Sequence, residues 1–261
     1  LSFGPAEVTE RAFWTQKILQ ARAVRKTALH AGMSTECYRL VHGEGDGLSG
    51  LVVDIYGPVA VMQCHSIGMH RQRALIAEAL REAFGADLQA IYDKSYEALP
   101  PKYAESQQNG FLWTATDTPP EDLVVHENEV AFRVNWVTGQ KTGFFIDQRE
   151  NRKLLATYSK GKKVLNTFCY TGGFSVYAAK ANAEKVVSVD SSEKAMVLTD
   201  QNIALNGCEA IHESVTSDVF DYLKTVKKGD FDVIVLDPPA FAKNVAARHH
   251  AIQAYKRINL E

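Results

Sequence analysis

"KKVLNTFCYTGGFSVYAAKANAEKVVSVD", residues 162–190, decides the fold of this chain. The run through Tyr170 is apolar and β-branched and reads as a strand, Gly172-Gly173 mark a turn, and Phe174 to Lys180 follow helical spacing. Lys185 to Asp190 is a second strand, and it ends on an acid. The same rhythm continues downstream. Glu193 to Leu205 reads as a helix closed by Asn206-Gly207, and "AIHESV", "DVFDYLKTV" and "FDVIVLD" extend the series. Strands alternating with helices predict a parallel sheet covered on both faces. The fourth strand, apolar from Val233 to Leu236 with Phe231 just before it, reads as buried on both faces at a sheet centre. Its far edge is then expected to be covered by further residues or by a neighbouring chain.

Upstream the texture differs. Residues 6–30 carry Phe13, Ile18, Leu19, Val24 and Leu29 at helical spacing, with Arg11, Lys17, Arg22, Arg25 and Lys26 between them. This is a basic amphipathic helix, readable as a solvated face or as an RNA contact. Leu51 to Tyr56 and Val59 to His65 are β-rich runs joined at Gly57-Pro58. Gly43, Gly45 and Gly47 feed a strand rather than open a helix, so they read as a turn and not as a phosphate loop. Residues 70–84 form an amphipathic helix, 99–123 a polar, proline-rich surface connection, and "LVVHENEVAFRVNWV" a hairpin with Glu127, Asn128 and Glu129 at its tip. The expected organisation is a small α+β domain over 1–137 and an α/β domain over 138–261.

Composition bounds the function. The chain has 261 residues, 29 Lys plus Arg against 31 Asp plus Glu, and a formal net charge of -2, so a nucleic-acid surface has to be local. No membrane-length apolar run or signal segment is seen, and the protein reads as cytoplasmic. The cysteines, Cys37, Cys64, Cys169 and Cys208, lie far apart without metal-ligand spacing, so reduced thiols and no metal are expected. The chain opens at Leu1 without an initiator Met and closes at Glu261 within an apparent helix, as an excerpt of a longer protein would.

Ligands of open α/β sheets bind beyond the carboxyl ends of the strands. Here those ends are "CYTGGF" (169–174), Asp190, Asp218 and Asp237. A glycine turn with an acid about 20 residues on suits either a dinucleotide or S-adenosylmethionine. A dinucleotide wants three glycines and a helix N-terminus for its pyrophosphate, whereas only Gly172 and Gly173 are present. Acids at three successive strand ends would repel a pyrophosphate, which favours S-adenosylmethionine. Each acid alone could equally be a helix N-cap.

With those residues in view, the chain resembles the class I S-adenosylmethionine-dependent methyltransferases. "GQKTGFFIDQRENRKLL", "VLNTFCYTGGFSVYAA", "VVSVDSSEKA", "LDPPAFAKN" and "HGEGDGLSGLVVDIYG" are similar to the family of ribosomal RNA large-subunit methyltransferase I, which makes 5-methylcytosine. The general class I motif D-x-G-x-G-x-G is replaced here by Asn166, Phe168, Tyr170 and Gly172, a departure that this RNA-modifying branch shares. The resemblance implies a Rossmann-like methyltransferase domain, incomplete at its C-terminal side, after a small α+β domain. It implies that Gly172 and Gly173 pass close to the methionine part, that Asp190 holds the ribose, and that Asp218 meets the adenine. Phe145, Asp147, Gln148 and Arg149, with Phe168 and Tyr170, are implied near the cofactor. An N-terminal RNA-binding PUA domain and three further strands bearing a catalytic cysteine are implied outside 1–261.

Cytosine carbon 5 needs a thiolate added at carbon 6, and Cys169, on the cofactor turn, reads as a packing residue rather than that nucleophile. The resemblance therefore assigns the nucleophile to a position beyond Glu261. Asp237 is expected to bond the polar edge of the base, Pro238-Pro239 to fix its direction, and Phe241 to stack on the base or to pack at the loop. An amino-directed methyltransferase of adenine or guanine would carry its aromatic immediately after the prolines, where Ala240 stands. A non-catalytic RNA- or cofactor-binding module is the remaining alternative. The partner expected is RNA, ribosomal by the resemblance, with a homodimer as a further association. The candidate RNA contacts are residues 11–26, Arg71, Arg73, Lys243, Arg248, Lys256 and Arg257.

Overall fold

A computed structural model describes residues 10–30, 34–242 and 247–260, with the backbone alone for 28–30. Its contacts divide the chain into two units. The first comprises residues up to Glu129 and Arg133–Ile146, the second Val130–Phe132 and Asp147 onward, so the break falls later than the boundary expected at 137/138.

The first unit contains, in order, α1 (Arg11–His30), β1 (Cys37–His42), β2 (Leu51–Tyr56), β3 (Val59–Cys64), α2 (Ile67–Arg71), α3 (Arg73–Phe84), β4 (Ala90–Asp93), α4 (Pro101–Ala104), β5 (Gly110–Thr114), β6 (Asp122–Glu127) and, from Arg133 on, the second half of β7 (Val130–Asn135). The first five strands form one sheet in sequence order, and β6 with β7 forms a two-stranded hairpin. Asn128 and Glu129 turn that hairpin with φ of 48° and 67°, the left-handed pair a tight two-residue connection requires. Gly57, at φ 53°, turns β2 into β3. The segment 99–123, expected to be an ordered surface connection rather than core, contains α4 and the sheet strand β5. Gly43–Asp46 is a short 3-10 turn stopped by left-handed Gly47, as befits a turn rather than a phosphate loop.

Helix α1 buries Phe13, Trp14, Ile18 and Ala21. Emptying the Trp14 site would cost about 3–5 kcal/mol. Its arginines are engaged on the polar side: Arg11 with Glu82 at 3.2 Å, Arg22 with Asp87 at 2.9 Å, and Arg25 through both terminal nitrogens with Asp46. Three of the helix's basic groups thus neutralise local acids, which favours the solvated-face reading over an RNA contact.

The second unit contains α5 (Arg149–Ser159), β8 (Lys163–Thr167), α6 (Gly173–Lys180), β9 (Lys185–Asp190), α7 (Glu193–Leu205), β10 (His212–Thr216), α8 (Val219–Leu223), β11 (Val233–Leu236) and α9 (Arg248–Ile258). Its four strands form a wholly parallel sheet in the order β10-β9-β8-β11, the arrangement of half a doubly wound α/β fold. Leu165, Val187, Val189, Val219, Leu223 and Ile258 make one cluster of its core. Among the described residues strand β11 is not buried on both faces: Ile234 is 50% exposed, and the strand stands at the edge of the sheet, the edge expected to be covered by further residues or by a neighbouring chain. No helix among the described residues is long and apolar enough to cross a membrane.

Candidate functional site

The register of the sheet assembles the site. Thr167 of β8 is level with Val189 of β9 and with Leu236 of β11, and Asp190 is level with Thr216 of β10. The turn after β8, Asp190 at the end of β9, Asp218 just past β10 and Asp237 just past β11 therefore share one edge of the sheet. At a strand spacing of about 4.8 Å, Asp237 and Asp190 flank the turn from opposite sides, about 10 Å apart in the sheet direction.

The turn is held in an unusual shape. Phe168 and Tyr170 adopt φ of 52° and 49°, left-handed values that cost a non-glycine residue about 1–3 kcal/mol each. Gly172 follows at φ 75°, and a Cβ built there would lie 2.7 Å from Thr199 Cγ2, so only glycine fits. The Tyr170 N–H donates to Asp190 Oδ2 at 3.0 Å and the Ser192 N–H to Asp190 Oδ1 at 2.9 Å. The Ser217 N–H donates to the Asp190 carbonyl at 3.0 Å, which ties the approach to Asp218 to the same point. Each Asp190 oxygen keeps a lone pair for a further donor.

Asn166 stands where the general motif has its acid. Buried, it donates to Ser175 Oγ at 2.8 Å; Ser175 and Ser188 hydroxyls meet at 2.6 Å, and Ser188 meets His212 Nε2 at 2.7 Å. The burial that closes this chain of bonds holds the His212 imidazole below its usual pKa. An amide here satisfies a buried hydroxyl without burying a charge.

Asp218 caps α8, accepting from the Asp221 N–H at 3.2 Å through one oxygen. The N-cap role weighed from sequence is thus real, and it leaves the second oxygen of an exposed side chain for other work. Asp237 has its pKa raised, first by the protein crowded around it and then by the like charge of Asp147, so these two acids lie within electrostatic reach. Gln148 accepts from Asn151 at 2.7 Å and Arg149 pairs with Glu150 at 3.1 Å, both at the start of α5. Phe145 is half-buried and belongs to the first unit. Phe241 lies 4.7 Å from the ring of Tyr255 and 6.1 Å from Phe220, an aromatic packing contact of the kind weighed against base stacking. Arg257 sits over Phe220 at 5.1 Å, and Arg73 bonds the His70 carbonyl at 3.1 Å. Lys243 lies outside the described residues.

All four cysteines are buried free thiols. Burial first, and then the Asp190 charge, push Cys169 up to about 12. Its sulfur packs 3.5 Å from Met196 Sδ. A thiol so placed is a packing group and not a nucleophile. Thr199 and Asn202 of α7, which line the inner side of the turn, were not legible as site residues, because nothing in "TDQNIALN" says which polar side chains face inward.

Comparison with known proteins agrees with this geometry. A family model described as S-adenosylmethionine-dependent methyltransferase matches residues 96–260. The chain is 41% identical over 99% of its length to ribosomal RNA large subunit methyltransferase I of Aeromonas hydrophila, and 38% identical over 99% to that of Escherichia coli strain SMS-3-5. It spans 65% of the length of each. Among solved structures, it is similar to a methyltransferase, SMU.776, complexed with SAH (TM-score 0.78, 29% identity, 92% of this chain and 61% of that one). It is also similar to an S-adenosylmethionine-dependent methyltransferase of Streptococcus mutans (TM-score 0.79, 28% identity, 95% and 64%). A parallel sheet whose 168–172 turn and acids share one edge, in a chain matched over residues 96–260 by one family model, places this chain in the family of S-adenosylmethionine-dependent methyltransferases.

Proposed function

We propose that the chain is the cofactor-binding and acceptor-facing part of an RNA methyltransferase acting on large-subunit ribosomal RNA, with carbon 5 of a cytosine as acceptor. The observation that carries the reading is the alignment of the 168–172 turn with Asp190, Asp218 and Asp237 on one sheet edge.

The residues present fit the cofactor. S-adenosylmethionine supplies, when bound, an electrophilic methyl on a sulfonium. Glycine at 172 lets the turn pack against Thr199 of α7, where a Cβ would strike at 2.7 Å, and the first-turn N–H groups of α6 would be offered to the cofactor's carboxylate as to any anion. Asp190 has acceptor capacity for ribose hydroxyls, and the second oxygen of Asp218 for an adenine amino group. Asp237 would accept from the exocyclic amino group of cytosine. Pro238-Pro239 fixes the direction of the chain leaving that acid. Asp147, Gln148 and Arg149 would close the cofactor side, with Phe168 and Tyr170 supplying apolar walls. Residues 1–137 would help present the RNA, with Arg71, Arg248, Lys256 and Arg257 meeting phosphates.

Since all four cysteines are buried, the thiolate that activates carbon 5 would come from a residue outside 1–261. That same burial favours one second reading, amino-directed methylation of a purine, which needs no thiolate. The test is methylation of large-subunit RNA by the full-length protein, followed by mass spectrometry of the nucleosides. 5-Methylcytidine supports the first reading, an N-methylated purine the second, and no methyl transfer by folded protein that binds S-adenosylhomocysteine overturns both.

A further inference from the structure

We infer that Thr199 and Asn202, on the buried face of α7, are the positioning residues of the cofactor turn. The inference rests on the proposed cofactor reading of that turn and names what holds it in shape. Two residues of the turn, Phe168 and Tyr170, sit in left-handed backbone without being glycine. Such a shape persists only where its surroundings over-determine it. Backbone bonds alone do so weakly: Cys169 N–H to the Val189 carbonyl at 3.2 Å and Gly172 N–H to the Cys169 carbonyl at 2.8 Å.

Two carbonyls of the turn are taken by buried side chains. Thr199 Oγ1 donates to the Tyr170 carbonyl at 2.9 Å, and Asn202 Nδ2 to the Thr171 carbonyl at 2.9 Å. Both side chains are fully buried, three residues apart and so on one face of the helix. From the other side, Asp190 holds the Tyr170 N–H at 3.0 Å. The peptide units on both sides of Tyr170 are thereby fixed by side chains. A trans peptide points its N–H opposite to its C=O, so holding the Tyr170 carbonyl toward α7 turns the Thr171 N–H away from that helix, as a donor offered to a ligand must be.

Thr199 has a competing use for its single proton, the Ala195 carbonyl at 3.1 Å one turn back. Its methyl meanwhile sets the wall that a Cβ on residue 172 would strike at 2.7 Å. One side chain therefore both holds the turn and fixes how close it can approach α7. Valine in its place keeps the shape and loses the donor.

Calorimetry with two probes tests this on the full-length protein. S-adenosylhomocysteine carries the amino-acid part that faces the turn; 5′-methylthioadenosine lacks it. Thr199→Val is expected to weaken S-adenosylhomocysteine about tenfold, the worth of one hydrogen bond to a fixed group, and methylthioadenosine by less than about threefold. Thr199→Ser restores the hydroxyl and with it most of the affinity, and Val197→Ala, on the exposed side of α7 (52% exposed), changes neither. Should Thr199→Val fail to fold, Thr199→Cys, a weaker donor, is expected to show the same selectivity at about threefold. Equal weakening of both probes, unchanged affinity for S-adenosylhomocysteine, or no rescue by serine overturns the inference. Asp190→Ala separates the two levels: if it binds both probes normally, the cofactor reading of this edge is what fails.

Discussion

Glycine 172 gives the sharpest quantitative test of the site. In Gly172→Ala the new Cβ has to occupy left-handed backbone at φ 75° and would meet Thr199 Cγ2 at 2.7 Å. The backbone part costs about 1–2 kcal/mol. The collision with a buried methyl adds about 1–3 kcal/mol, as overpacking does in a closed core. The sum is about 2–5 kcal/mol. In a Thr199→Ser background Cγ2 is gone and only the milder contacts with Oγ1 and Cβ at 3.2 and 3.3 Å remain, so most of the second part is relieved and the two substitutions should couple by about 1–2 kcal/mol. Tryptophan fluorescence is the wrong probe, because Trp14, Trp113 and Trp136 all belong to the first unit. Amide hydrogen exchange over residues 163–190 reads the right one. A loss of about 3 kcal/mol appears there as roughly 100-fold faster exchange of β8 and β9 amides. Exchange within about threefold of the parent, or the same loss with and without the threonine methyl, would refute the steric argument.

Three further outcomes follow from the same geometry. Asp190→Ala removes the acceptor of two backbone N–H groups and the proposed ribose partner, so S-adenosylhomocysteine affinity should fall by at least about tenfold in calorimetry, and retention of affinity would remove Asp190 from the site. Asp237 has a folded-state pKa above its ordinary 3.8, so the folded state holds its proton more tightly and the ionised form costs stability as pH rises through that window. Asp237→Asn should therefore raise the melting temperature at neutral pH, with the gain shrinking as pH falls toward 3.8; a gain that grows toward acid would reverse the sign of the argument. With Cys169 pushed up to about 12, its thiolate fraction at pH 7 is on the order of one in 100,000, and Ellman's reagent should leave it unmodified in native protein on the timescale on which it labels the unfolded chain.

How much of this was legible in the sequence depends on which kind of interaction decides each feature. The second unit was readable because alternation of strand and helix leaves few topologies open, and because acids at strand ends are odd enough to notice. The first unit was harder. β4 is only Ala90–Asp93, and β5, Gly110–Thr114, is half-buried throughout and set in a proline-rich segment, so neither shows the periodicity that announces a strand. Strand β11 shows a different limit: its apolar run reports a preference for burial but not which neighbour provides it, and among the described residues it stands at the sheet edge with Ile234 50% exposed, the edge expected to be covered by further residues or by a neighbouring chain.

The site divides along the same line. Asp190, Asp218 and Asp237 are conspicuous because a carboxylate at the end of an apolar strand needs a reason. Thr199 and Asn202 are not, because polar residues on a helix ordinarily face water, and their burial exists only once α7 has packed over the turn. The order of dependence runs opposite to the order of visibility. The strained backbone of Phe168 and Tyr170 requires buried donors to persist, the donors require the helix, and the helix requires the sheet that the acids made it easy to recognise. Substitutions on the buried face of α7 should therefore act on the ligand part nearest the turn before they act on the fold, which is why paired ligands, rather than melting temperature alone, read their effect.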